Sequence, residues 1–480
     1  MILPPQFLVK KDSMIVTFFQ NVFSPLFGSF EREEFKKFLK MGAVFSAIIG
    51  SYWTLGTIKE ALISTLIGPA MLPYAKATGL LCLVPMLMLY SRLLDYFSRE
   101  RLFYMLSIGY TGVIIFFSFL IMSNSIGEAD AAVIAARTGW AAWGTHCLGY
   151  MYYAVVETYG SLMVALFWSI AVDTTQPESA KKGFSLVMAL GQLGGIIGPI
   201  VLITKIPPFF GCTTNGLSVM MCSILLLSAS WFLKYFLAST PQKLLQSFHG
   251  NNEKELIQKQ EPSFFEGLKL LLKHRYLLCI FTMMFFFEML TQIFDFHFKC
   301  MVAQHFSGLE LVQYIATYSS CVSGMTLICL VLGVNRVTRF FGLGVSLAIM
   351  PIILACAIFG FITIHHLSFL FWLMVGSKAF HYSLNVPAVK QLYIPTTHDV
   401  RFKAQAWIET FGSRSARQGG GFYNMLLKPM QNTMGMHAGQ MCHIMMTAYF
   451  GFAFVFIWFF IALYLGKTCK KAVDTRTVVC

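Results

Sequence analysis

Apolar residues run through this chain in blocks roughly 20 residues long, recurring from residue 42 to residue 465 and separated by short polar turns. An α-helix rises about 1.5 Å per residue, so about 20 apolar residues are enough to cross the hydrocarbon core of a bilayer. The pattern predicts an all-α membrane protein with twelve spans, at 42–66, 73–91, 102–122, 145–172, 183–203, 216–237, 277–302, 311–334, 341–364, 367–387, 404–427 and 440–465. Ahead of the first block, Phe35, Phe38 and Leu39 share one helical face while Glu33 and Lys37 stand four apart on the other. That layout predicts a helix lying on the membrane surface, with a Glu33–Lys37 pair.

The longest polar stretch, 239–275, divides the spans six and six and is expected to end in a short amphipathic helix from Ser263. A midpoint linker of this kind is the layout of transporters built from two similar six-helix halves, with the substrate site at their interface. The expected organisation is a cytoplasmic N-terminal segment at 1–41, a six-helix half at 42–238, the linker at 239–275, a second half at 276–466 and a tail at 467–480. Echoes of repetition agree: the basic turn from Arg92 to Arg101 after span two is matched by Asn335 to Arg339 after span eight, and the glycines Gly191 to Gly195 of span five by Gly419 to Gly421 of span eleven.

Composition narrows this reading. Hydrophobic residues make up 56% and charged residues only 12%, against about 25% charged in a soluble domain. The net charge of +14, from 36 Lys+Arg against 22 Asp+Glu, does not require nucleic acid. With both termini cytoplasmic, 26 Lys/Arg fall on inner segments against three outside, namely Arg137, Lys205 and Lys428, as the positive-inside rule demands. The twelve cysteines include no CxxC pair, and Cys82, Cys222, Cys279, Cys321, Cys329 and Cys356 sit in apolar runs where a thiol packs as a small hydrophobe. Residues 1–40 lack an apolar core followed by a small-residue cleavage site, so no cleavable signal peptide is expected.

The candidate chemistry lies in ionisable side chains inside apolar spans, which are costly there and tend to line a pathway or cavity. They are Lys59 and Glu60 in span one, Glu157 in span four, Glu288, Asp295 and Lys299 in span seven, Lys378 in span ten, and Arg414 and Arg417 in span eleven, with Lys403 at the entrance to that span. The cations outnumber what a single carboxylate ligand needs and suit a polyanion such as a phosphate chain, where arginine adds a bidentate fork and lysine a point charge. Glu60, Glu157 and Asp295 are the candidate gating or coupling carboxylates. Asp295 and Lys299, at i,i+4, are expected to pair when the site is empty.

Other motifs point elsewhere. Gly191-Gln-Leu-Gly-Gly-Ile-Ile-Gly198 superficially resembles a nucleotide loop but lies in an apolar span, where small residues allow close helix packing. Gly466-Lys467-Thr468 lacks the earlier glycine of a P-loop, Ile461 standing in its place. Met434, Met436, His437, Met441, Cys442, His443, Met445 and Met446 form a soft-ligand set that suits monovalent copper in principle, but reads better as a methionine-rich loop and helix start. No metal or other cofactor is expected, nor an enzyme, because no nucleophile–base set is visible.

Several runs resemble the ATP:ADP antiporter family of plastids and obligate intracellular bacteria. They are Tyr52-Trp-Thr-Leu-Gly-Thr-Ile-Lys59-Glu60-Ala-Leu62, the segment from Leu89 to Tyr104, Glu157-Thr-Tyr-Gly-Ser161 followed by Phe167-Trp168, and Glu178-Ser-Ala-Lys-Lys182. In the second half, Asp295-Phe-His-Phe-Lys299, Tyr393-Ile-Pro395, Lys403 and Gly412-Ser-Arg-Ser-Ala-Arg417-Gln-Gly-Gly420 are similar to the family's signatures. The resemblance runs from Glu33 to Leu465. It implies a fold like the major facilitator superfamily and nucleotide transport by alternating access, with Lys59, Glu157, Asp295 and Lys403 as the carried-over charges. It further implies residence in the inner membrane of an intracellular bacterium. This chain departs from the family pattern at Gly56-Thr57, where an Arg-Asp pair is usual, at Gln405 in place of a lysine, and at Arg417 in place of another.

The leading expectation is thus a secondary transporter for ATP, ADP or a related nucleotide, with the bilayer as its other partner. Lys59, Glu157, Asp295, Lys299, Lys378, Lys403, Arg414 and Arg417 are its candidate substrate-binding residues. Two alternatives stay open at this level: a proton-coupled importer of nucleotides or of a dinucleotide, and a degenerate, non-transporting membrane receptor or scaffold.

Overall fold

The structure, a computed structural model, describes residues 31–123, 138–175, 177–212, 214–245, 264–331, 341–364, 366–393, 395–396, 408, 412–475, 477 and 479. Its described elements are all helical. They run α1 Arg32–Leu66, a 3-10 turn Pro69–Met71, α2 Leu72–Tyr96, α3 Arg99–Met122, α4 Gly139–Asp173, α5 Pro177–Pro199, a π-helical turn Ile200–Lys205, α6 Ile206–Phe209, α7 Gly216–Ser239 and α8 Gln242–Leu245. After the linker come α9 Phe264–Lys273, α10 Arg275–His305, α11 Gly308–Val331, α12 Leu343–Thr363, α13 Leu367–Phe380, a second π-helical turn His381–Asn385, α14 Val386–Gln391, α15 Ser413–Met425, α16 Leu427–Met434 and α17 Met436–Asp474. Among the described residues nine helices are long and apolar enough to cross a membrane. The other three expected spans fall on α11, on the broken run from α13 to α14, and on the run from α15 to α16.

Proline explains the broken runs. Pro387 follows the turn His381–Asn385, and Pro207 and Pro208 follow Ile200–Lys205. A proline inside a helix removes its own N–H and collides with the carbonyl four residues back, and widening the preceding turn relieves both.

The N-terminal region departs from expectation. Residues 32–40 form the opening turns of α1 rather than a separate surface helix, because no proline interrupts the run and an established helix extends at little cost. Phe35 and Phe38 are fully buried in protein. Lys37 is also buried and donates to the carbonyls of Thr174 at 2.6 Å and Leu244 at 2.8 Å, so Glu33 pairs with Lys36 at 2.7 Å instead. A lysine at a helix C-terminus satisfies carbonyls that have no partner within the helix. The short amphipathic helix predicted from Ser263 is present as α9. The turn at 335–339 lies outside the described residues.

Packing divides the chain into two compact units, Met1–Lys59 with Gly79–Ala129 and Met151–Glu253, and Glu60–Thr78 with Asp130–Tyr150 and Lys254–Cys480. In the first, α1 crosses α5 at glycines. A Cβ on Gly194 would stand 2.2 Å from the Ser46 carbonyl oxygen, and one on Gly198 would stand 2.6 Å from that of Gly50. The span-five glycines are therefore a helix-packing surface, where small residues let two backbones approach. In the second unit Gly466 of α17 meets Gly344 of α12 in the same way, its Cβ position 2.2 Å from the Gly344 Cα.

A leucine at Gly194 has backbone rather than a flexible side chain in its path. Gly194→Leu is expected to destabilise the protein by about 1–3 kcal/mol or more, read as a lower midpoint of detergent-solubilised thermal unfolding. An unchanged midpoint would mean that the α1–α5 crossing is looser than described.

Candidate functional site

In the first unit Lys59 and Glu157 form an ion pair inside the helix bundle. The Lys59 side chain on α1, only 4% of the residue exposed, donates from its ammonium to Glu157 Oε1 on α4. The ammonium also lies 4.5 Å from the centre of the Tyr153 ring, one turn before Glu157, in cation–π contact. Gly79 on α2 leaves room for the carboxylate, since a Cβ there would approach Glu157 Cγ to 3.0 Å.

The second unit carries a longer arrangement. Asp295 and Lys299 occupy one face of α10 and hydrogen-bond each other, both being 7% exposed. Lys378 on α13 donates to the other Asp295 oxygen at 2.6 Å and lies 5.1 Å from the centre of the Tyr318 ring on α11. Lys299 reaches Glu60 Oε2 at 2.7 Å, and Lys76 on α2 stands 3.9 Å from Glu60 Oε1. The five side chains thus alternate in sign as Lys76, Glu60, Lys299, Asp295 and Lys378, three cations against two anions. Such a cluster of ammonium groups inside apolar helices is suited to receive an anion.

Several of these placements were not readable from spacing. The Asp295–Lys299 pair forms as expected, and Lys378 joins the same carboxylate. Lys59 and Glu60 point to different partners, as neighbours on a helix must. Lys76 was missed. Its signal was a lysine inside the apolar block 73–91, easily read as an interfacial residue.

Glu288 accepts from Ser413 Oγ at 2.8 Å and faces Arg417 Nε at 3.5 Å, while Arg417 Nη2 donates to Ser413 Oγ at 3.2 Å. Arg417 therefore serves Glu288 on α10 rather than Asp295. Arg414 is exposed, and Lys403 lies outside the described residues. The methionine-rich set does not converge: Met434, Met436, Met441 and Met445 are exposed, whereas His443 is fully buried, its Nδ1 3.1 Å from His297 Nε2.

Comparison with known proteins agrees with this helical architecture. The chain is 23% identical to the ADP,ATP carrier protein 1 of Rickettsia bellii (strain RML369-C) over 487 residues, covering 92% of this chain and 95% of that protein. It is 22% identical to the plastidic ATP/ADP-transporter of Solanum tuberosum over 439 residues, covering 82% and 68% respectively. Among solved structures, the nucleoside transporter NupG aligns with a TM-score of 0.59 at 11% identity over 88% of this chain and 98% of that one. A bacterial homologue of the lysosomal transporter Spinster aligns at 0.55 and 12% identity, over 92% and 99%. The fold is that of major-facilitator-type transporters, and the protein is an integral, multi-pass membrane protein. The profile of the TLC ATP/ADP transporter family matches residues 13–468, and the chain belongs to that family.

Proposed function

We propose that this protein is a secondary transporter that exchanges nucleotides such as ATP and ADP across the membrane by alternating access. In this reading 42–238 and 276–466 are its two halves, and it sits in the inner membrane of a bacterium with both termini cytoplasmic, as the inner excess of Lys/Arg favours. The observation that carries the reading is the run of ion pairs inside apolar helices that gathers Lys76, Lys299 and Lys378 around Glu60 and Asp295. Lys59, Lys299, Lys378, Lys403, Arg414 and Arg417 are the proposed contacts for phosphate oxygens. Glu60, Glu157 and Asp295 act as gates that hold those lysines when no nucleotide is bound.

The engagement of Glu157 by Lys59, and of Asp295 by both Lys299 and Lys378, favours exchange over proton symport. A carboxylate already committed to ammonium groups serves as a counter-ion and has no need of a proton. Vesicles preloaded with ADP are expected to take up labelled ATP equally with and without an uncoupler, and empty vesicles to accumulate little. Uncoupler-sensitive net uptake into empty vesicles would overturn the exchange reading and make Glu157 or Asp295 a proton carrier.

A further inference from the structure

In the second unit a cavity of about 200 Å³ opens one helical turn beyond Lys378. Met284, Phe287 and Glu288 of α10, His381 and Asn385 of the π-helical turn, and Ser413 of α15 are among its lining residues. The rings of Phe287 and His381, both at the cavity, are stacked on each other, their centres 3.6 Å apart and their planes 10° from parallel. Asn385 is 4% exposed. Its amide nitrogen donates to His381 Nδ1 at 3.2 Å, which leaves Oδ1 as a buried acceptor with no hydrogen-bond partner among the described residues.

An unpaired buried acceptor is destabilising, and on a cavity wall it is offset when a ligand brings a donor. The cavity falls below the roughly 300–1,000 Å³ of pockets that enclose whole drug-sized molecules, so it admits a flat ring system and not an entire nucleotide. Two cations that could serve the remainder of such a ligand are tied to the cavity's lining residues, one by a hydrogen bond and one along the chain. Arg417 is hydrogen-bonded to the lining Ser413, and Lys378 precedes His381 by three residues.

We propose that this cavity is the nucleobase subsite of the transporter, and that Asn385 Oδ1 accepts a hydrogen bond from the exocyclic amino group of a 6-aminopurine. A 6-oxopurine presents an oxygen at the same place, so two acceptors would face each other and the base is disfavoured. The purine ring packs beside the stacked Phe287 and His381 side chains, and the phosphates extend to Arg417 or Lys378. This inference rests on the nucleotide-exchange reading and adds the residues that read the base.

The test is competition against labelled ATP on the purified full-length protein, using ATP, ITP and inorganic tripolyphosphate. ATP and ITP differ in the 6-amino and 6-oxo groups and the accompanying ring proton. The parent is expected to prefer ATP by about tenfold or more, the equivalent of about 1.4 kcal/mol. In Asn385→Leu that preference should collapse to within about threefold, mostly through weaker ATP binding, with tripolyphosphate competing as before. A retained ATP preference in Asn385→Leu, or no preference in the parent, overturns the subsite.

Met284→Trp supplies an independent reading, since it fills the cavity without touching Asn385 chemistry. It should weaken ATP about tenfold or more and leave tripolyphosphate unchanged, whereas undiminished ATP binding overturns the proposal. A parent that binds tripolyphosphate but shows no ATP advantage over it also overturns the base subsite while leaving an anion site. Failure of the parent to bind ATP at all overturns both this inference and the exchange reading.

Discussion

Lys59→Ala is expected to abolish nucleotide uptake, lowering it by a factor of about a hundred or more, while the protein stays in the membrane at parental levels. Removing one member of a buried pair leaves the other without compensation, which costs about 3–5 kcal/mol when the site is dry. Here the residual Glu157 is about a third exposed on its side chain, so solvent screens it and folding loses less than that figure. Transport loses more, because a bare carboxylate at a phosphate site repels the substrate. Lys59→Arg should keep only part of the activity, since a planar fork cannot occupy the position of a compact ammonium above the Tyr153 ring.

The double variant Lys59→Ala/Glu157→Gln separates the roles. If the pair only holds α1 to α4, neutralising both members restores uptake. If Lys59 meets phosphate, the double variant stays inactive. Normal uptake in either the single or the double variant, measured with membrane levels matched, would remove Lys59 from the substrate path.

The second large effect is expected at Asp295, where binding and transport should part company. Asp295→Asn leaves Lys378 without its carboxylate and Lys299 with Glu60 alone, so the local charge becomes more positive by one. Nucleotide binding by the purified variant should equal or exceed that of the parent, while exchange falls about tenfold or more, because Lys378 has lost the carboxylate that recovers it as the anion leaves. Lys299→Gln should lose both binding and exchange.

Reversal of the pair by Asp295→Lys/Lys299→Asp gives the sharpest contrast. A simple i,i+4 bridge survives exchange of its ends. In this protein the new lysine would face Lys378 and the new aspartate would face Glu60, so two attractions turn into repulsions. The swapped variant should be inactive, and full exchange by it would reduce Asp295–Lys299 to a structural salt bridge.

The sequence determined the class of molecule, because the cost of burying an unsatisfied backbone in lipid forces long apolar runs into helices, and their length is readable residue by residue. It also identified Asp295 and Lys299 as a pair, since i,i+4 contacts are fixed by helical geometry alone. It marked Gly191 to Gly198 as packing surface because glycines in an apolar span have few other uses. Everything that depends on which helices meet was left to the tertiary structure. Lys59 chooses Glu157 across 98 residues, Glu60 turns to Lys299 and Lys76, and Arg417 serves Glu288 rather than Asp295. The unpaired oxygen of Asn385 is visible only once the turn before Pro387 has widened and the rings of Phe287 and His381 have closed on each other. Local periodicity fixes which face of a helix a residue occupies. The partner on the other side of that face is set by packing between segments far apart in the chain, and no spacing rule within one segment encodes it.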